Sequence, residues 1–293
     1  RARAVTTRTA DPAGQPQGRR VAVLAGRGEY PLRVAGAAAA QGASVYVAVL
    51  SGAADPADYG AYDAKEYRLG QLGRFLDEIK RRDIDEIVMV GALPRPSFGS
   101  LAPELSTLKY LPHFARAFQG GDDHLLRGVV SFFEGQGLRV VGPADLAPDL
   151  VAPIGTLGRH KPAAAAREAI ATGFNLLAAL SPFDIGQAAI IADHRVVAVE
   201  AAEGTDAMIE RVAGLVQSGR LKPGKGDGVL VKAPKLGQDL RVDMPAIGPE
   251  TVARVAAAGL AGIAVKAGSV LIGDRGRLAT LADTSGLFIE GVA

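Results

Sequence analysis

The densest chemical signal in the chain is the run Lys232-Ala233-Pro234-Lys235, followed by Gln238-Asp239, Arg241, Asp243, Pro245 and Ile247-Gly248. Its two prolines fix φ and remove backbone donors, so lysines, an arginine and aspartates share one stiff segment after an apolar strand expected over 228–231. Cations beside a carboxylate suit a phosphorylated ligand next to a hard metal. Lysine meets phosphate as a point charge, and an aspartate oxygen meets Mg²⁺. A solvated surface loop has the same composition, and residue types alone do not separate the two.

Other stretches carry weaker signals of the same kind. Gly26-x-Gly28 follows an apolar run and brings backbone amides to a helix N-terminus, which suits an anionic group. Pro31 and Leu32 stand where a dinucleotide fingerprint has its third glycine, and Ser51-Gly52 replaces the acid after the second strand. A nicotinamide is therefore disfavoured, and a mononucleotide or sugar nucleotide fits better. A tight turn would need the same glycines. Gly70-x-x-Gly73 and Gly91 to Arg95 lie near later strand ends, where Arg95 can meet a phosphate bidentately. Asp122 reads as a helix N-cap, and Asp123 beside it as an acid for a metal or ribose. Glu200, Glu203 and Asp206, with Gly204-Thr205 between the last two, put three carboxylates within seven residues. They repel unless solvated, capped or bound to a cation. The four histidines have no metal-ligand spacing, no G-x-S-x-G elbow occurs, and there is no cysteine. What remains is carboxylate plus hard metal acting on phosphate.

The elements that must position these residues are expected in two halves. Strands over 21–25, 44–50, 64–69, 86–93 and 139–141 alternate with helices over 31–41, 71–82, 107–119 and 122–135. That alternation predicts α/β architecture with an N-terminal Rossmann-like parallel-sheet domain over 20–150. Prolines between 142 and 162 suit a linker at 151–163. The remainder, 164–293, reads as a mixed α+β catalytic domain. It comprises a long Ala-rich helix to 180, a hairpin over 188–200, helices over 206–217, 249–259 and 277–284, and strands over 262–265, 270–272 and 288–292. Residues 1–19 read as a disordered extension.

At 293 residues, 48% hydrophobic and 22% charged, the chain can bury two cores. Its 33 basic and 31 acidic residues nearly cancel, so nothing favours nucleic acid. No apolar stretch reaches the roughly 20 residues of a membrane span.

Taken together and in order, several segments resemble one family. They are Ala25-Gly26-Arg27-Gly28-Glu29-Tyr30-Pro31, Gly91 to Pro96, Gly121-Asp122-Asp123, Asp184-Ile185-Gly186-Gln187, Val199 to Met208, and the run from Lys232 to Gly248. The chain resembles the UDP-2,3-diacylglucosamine pyrophosphatases of the LpxI type over residues 20–293. The resemblance implies a Mg²⁺-dependent hydrolase, with Mn²⁺ as alternative ion, that yields UMP and 2,3-diacylglucosamine 1-phosphate for lipid A. Water would attack the β-phosphorus, and a lipid-holding chamber would lie between the domains. It implies an essential Asp243 that binds metal or activates water, with Glu200 as a second metal ligand. Lys232 and Lys235 would stabilise the phosphates. Gln187, Glu203, Gly204, Thr205 and Asp206 would complete the polar site. Gly28, Gly73 and Arg95 would hold the UMP end, with Asp122 and Asp123 also on the substrate side. The implied setting is cytoplasmic, visiting the inner leaflet for a UDP-linked diacylated glucosamine. A hydrolase of another sugar nucleotide, or a non-catalytic nucleotide-sugar sensor, fits the same residues.

Overall fold

Parallel strands buried on both faces form the first layer. The computed structural model describes residues 18–92, 103–110, 112–114, 122–224 and 226–293. Within them, β1 (Arg20–Ala25), β2 (Ser44–Leu50), β3 (Asp63–Tyr67), β4 (Glu86–Val90) and β5 (Arg139–Val141) pair in the order β3-β2-β1-β4-β5, all parallel. The order reverses between β1 and β4, the point where ligands bind in open α/β sheets. Helix α1 (Tyr30–Ala40) packs small residues on one face, and α2 (Leu72–Arg81) lies in the aromatic cluster on the other. Beyond the strand ends the loops meet closely: Arg27 and Ala92 exchange backbone hydrogen bonds. A Cβ on Gly26 would lie 2.7 Å from the Gly91 backbone, so glycine is required there by contact.

Over the helix expected at 107–119, the described residues show two helical pieces, a short α3 (Leu105–Leu108) and residues 112–114, separated by a turn at 109–110. Pro112 cannot donate to a helix continuing from α3 and stands instead at the start of the second piece, where proline is tolerated. The end of that expected helix, Arg95 and residues 1–17 lie outside the described residues. Helix α4 (Asp122–Gly135) follows as expected, then a short α5 (Pro143–Leu146).

The stretch read as a linker is ordered. It contributes β6 (Gly155–Leu157), which runs antiparallel to the last strand and opens the second sheet. That sheet has the order β6-β11-β10-β9-β7-β8, with β7 (Ala188–Ala192), β8 (Arg195–Val199), β9 (Val229–Lys232), β10 (Gly262–Lys266) and β11 (Phe288–Val292). Its centre, β9-β10-β11, is parallel, and β7 and β8 add an antiparallel hairpin. Asp193 and His194 both take positive φ in the hairpin's two-residue turn, as its twist demands. Helix α6 (Ala164–Leu180) covers one face. Helices α7 (Gly204–Gln217), α8 (Pro249–Ala257) and α9 (Arg275–Ser285) cover the other. The strand expected over 270–272 shrinks to isolated bridges at Leu271, because Val151 and Ala246 flank it in place of full strands.

Candidate functional site

Three chain segments end together at one edge of the second sheet. Strand β9 finishes at Lys232, β8 at Val199 just before Glu200, and β7 begins at Ala188 just after Gln187. The ladder sets this juxtaposition: Ala188 lies opposite Lys232, and Ala189 opposite Val199. The backbone continues it, with Glu200 N–H donating to Ala188 O and Ala233 N–H to Gln187 O, both at 2.9 Å. The apolar strand is therefore one residue longer than its apolar run. Lysine ends it because the ladder still has a partner there.

Alternation decides where that lysine points. Val231 faces α6, where an added Cβ on Gly173 would lie 2.5 Å from the valine methyl. Leu230 and Lys232 thus share the opposite face, toward α7. Lys232 is 8% exposed, and its Nζ donates to Thr205 Oγ1 at 2.8 Å. Thr205 donates onward to Glu200 Oε1 at 2.9 Å, and Glu200 Oε2 accepts from the Gln187 backbone N–H at 3.0 Å. The Gln187 side chain then donates to Asp243 Oδ2 at 3.0 Å, and Gln238 Nε2 donates to the same oxygen. A continuous hydrogen-bonded path runs from the buried ammonium to the carboxylate of the loop. Gly186 makes room for it, since a Cβ there would meet Glu200 O at 2.5 Å.

Burial holds the Lys232 ammonium below its ordinary value, opposed by the charges of Glu200, Asp206 and Asp243. An ammonium has three donors, and the Thr205 hydroxyl accepts one of them. Lys235 is countered differently, by an ion pair with Asp184, whose left-handed backbone (φ 54°) ends the turn at Ser181–Phe183. Leu236 N–H donates to Ser181 Oγ at 3.0 Å and fixes the two turns together.

The first domain grips the loop that bears Asp243. Arg241 pairs with Asp239 and with Glu134 on α4 at 2.8 Å, and Arg127 donates to Gly237 O at 3.0 Å. Tyr30, at the start of α1, donates its hydroxyl to Ile247 O at 2.7 Å. A cleft of ≈ 500 Å³ lies between α4 and this loop, bounded by Arg127, Glu134, Gly237 and Asp239.

Two family models match the chain, the LpxI N-terminal domain over residues 20–150 and the LpxI C-terminal domain over 153–290. A protein of Caulobacter vibrioides named UDP-2,3-diacylglucosamine pyrophosphatase LpxI is 37% identical over 274 residues, covering 94% of this chain and 98% of that protein. The chain belongs to the LpxI family.

In this LpxI chain, six residues anticipated from sequence converge at the edge of the second sheet: Lys232, Thr205, Glu200, Gln187, Asp243 and, through charge, Asp206. Others stand apart. Glu203 is exposed and binds Arg211 at 2.8 Å; a bond from its own backbone, then Arg211, lowers its carboxyl. Gly204 takes φ +81° to open α7, and Gly28, at φ +100°, faces open space beside the first sheet. Gly73 is buried beneath α3, with its N–H bound to Thr107 Oγ1 at 3.1 Å. Asp122 and Asp123 begin α4. Sequence assigns no role to Gln238 or Asp184, although both lie in the segments that carry the resemblance. Gln238 shares the charged run with Asp243, while the Asp184 contact depends on a backbone turn that residue type does not announce.

The donor chemistry fits a hard divalent cation: Asp243 and Glu200 offer carboxylate oxygens and share Gln187 as a neighbour. Among the described residues no group of three or more acids or histidines stands ready to cage a metal.

The displaced lysine pKa has a measurable consequence. Between its folded value and the ordinary 10.5, the unfolded chain binds more protons than the folded one, so the lysine's contribution to stability rises with pH. Thermal unfolding should show the melting temperature of the wild type gaining on Lys232→Met from about pH 7 to about pH 10. A difference that stays flat or falls would contradict the burial of this charge.

Proposed function

We propose that this LpxI chain hydrolyses the pyrophosphate of UDP-2,3-diacylglucosamine to UMP and 2,3-diacylglucosamine 1-phosphate, and that it does so at the edge of the second sheet. The observation that carries this placement is Lys232, an ammonium with one recorded acceptor among the described residues and almost no access to solvent. A phosphate oxygen would supply a further acceptor in direct contact with the ammonium. The first turn of α7, whose opening amides lack intrahelical acceptors, adds a favourable end for an anion. The substrate follows from family membership and from the activity named for the Caulobacter relative.

In the reaction, a water oxygen forms a bond to the β-phosphorus while the bond from that phosphorus to the bridging oxygen breaks. UMP leaves with that oxygen, and the water proton passes to solvent or base. Lys232 offsets the charge that builds on the pyrophosphate, in a site where low solvent access makes such an interaction strong. Gln187 and Gln238 orient the Asp243 carboxylate, so that it can hold the attacking water or the cation. Mg²⁺, or Mn²⁺ in its place, would be held by Asp243 and Glu200 and would neutralise phosphate charge and acidify water. Lys235, joined to Asp184, borders the same loop.

A cytoplasmic enzyme would meet this diacylated substrate at the inner leaflet. Among the described residues no helix is long and apolar enough to cross a membrane, so contact would be peripheral. Phe183 and Leu236, 71% and 72% exposed, flank the Asp184–Lys235 pair and suit such contact.

Purified protein given UDP-2,3-diacylglucosamine and Mg²⁺ should release UMP, with release lost on adding EDTA and reduced by at least about 100-fold in Asp243→Ala. No release by folded, metal-supplied protein would overturn the reading. Equal turnover of an unacylated UDP-sugar would transfer it to another sugar nucleotide. The membrane reading is checked by sedimentation with phospholipid vesicles: the wild type should pellet in part and Phe183→Ser/Leu236→Ser much less. Equal sedimentation of both would remove these side chains from the contact.

A further inference from the structure

Lys232 reaches the site on a long stem, and a lysine head has many rotamers and a point charge without preferred direction. Something must hold its Nζ in one place. Among the described residues the Thr205 hydroxyl is the one hydrogen-bond acceptor recorded for it, at 2.8 Å. The direction of this bond follows from chemistry. An ammonium accepts nothing and a carboxylate donates nothing, so Thr205 must accept from Lys232 and give its single proton to Glu200 Oε1. No donor is then left on the Thr205 hydroxyl for a phosphate.

Everything around the hydroxyl keeps it fixed. Threonine is β-branched, with a restricted χ1. Thr205 stands in the first turn of a 14-residue helix, directly after Gly204 in its positive-φ conformation. Its acceptor Glu200 is held in turn by the Gln187 backbone N–H at 3.0 Å, at the point where Gly186 admits the Glu200 backbone. The post is thus anchored to α7 on one side and to the ends of β7 and β8 on the other.

We propose that Thr205 is a positioning residue for the hydrolysis. Its hydroxyl, oriented by Glu200, sets the Nζ of Lys232 against the pyrophosphate, and it is not itself a substrate contact. The inference rests on the reading that Lys232 meets phosphate at this site.

The test compares Thr205→Val, which keeps the shape and removes the hydroxyl, with Thr205→Ser, which keeps the hydroxyl, using UMP release from UDP-2,3-diacylglucosamine. Thr205→Val should lower kcat by about 10- to 100-fold, the scale of a misplaced catalytic group, with KM changed by less than about threefold. Thr205→Ser should recover most of kcat. In a Lys232→Met background, Thr205→Val should cause little further loss, because the group it positions is gone. Should Thr205→Val fail to fold by circular dichroism, Thr205→Ala replaces it with the same expectation. Wild-type kcat in the folded valine variant overturns the proposal, as does equal impairment of serine and valine, which would mark a packing role. If Lys232→Met alone turns over normally, the reading beneath the proposal fails with it. If Lys232→Met is impaired while Thr205→Val is not, the positioning role alone fails.

Discussion

A buried ammonium is the constraint around which the second domain is organised. Water solvates a lysine far better than protein does, so a lysine at 8% exposure is held against a desolvation penalty. Three carboxylates, Glu200, Asp206 and Asp243, offset part of it without closing onto the Nζ as direct partners; the recorded hydrogen bond goes to a neutral hydroxyl. A closed ion pair would satisfy the lysine and leave it little reason to bind anything. The present arrangement leaves two of the ammonium's three donors without a recorded acceptor among the described residues.

Topology delivers the groups around that cation. Strand β7 runs antiparallel to its neighbours β8 and β9, so its amino end lies beside their carboxyl ends, and Gln187, Glu200 and Lys232 meet at one sheet edge. The α7 helix begins a few residues after β8 and brings Thr205 with it. Asp243 comes from farther along the chain, on a loop whose position depends on the first domain through Arg241–Glu134, Arg127 and Tyr30. These exposed and half-exposed ties are each weak, so the loop's geometry depends on several at once.

Much of this was legible from residue types. The parallel first sheet follows from alternating apolar runs and helical segments, and the hairpin turn from Asp193-His194. The charged run pointed to phosphate chemistry, and its likeness to one family gave Asp243. What sequence alone does not give is the division of labour within that run. Lys232 and Lys235 look equivalent as letters. Strand alternation buries the first against α7, while the second lies beyond the strand end and pairs with Asp184, and that difference depends on a register the sequence does not print. Gly73 looks like a ligand-binding glycine, yet its contact with Ser106 comes from α3, whose packing on α2 is tertiary. Similarly, the proline-rich stretch after the first domain reads as a linker, while β6 finds a partner in β11 more than a hundred residues later.

The central claim is that the pyrophosphate meets protein charge at the edge of the second sheet. A crystal structure with UMP and 2,3-diacylglucosamine 1-phosphate bound tests it most directly. A phosphate oxygen should lie within about 3 Å of Lys232 Nζ, with the Thr205 bond intact. Both phosphates seated instead at Gly28, beyond the first sheet, with Lys232 still bound to Thr205 alone, would contradict the account.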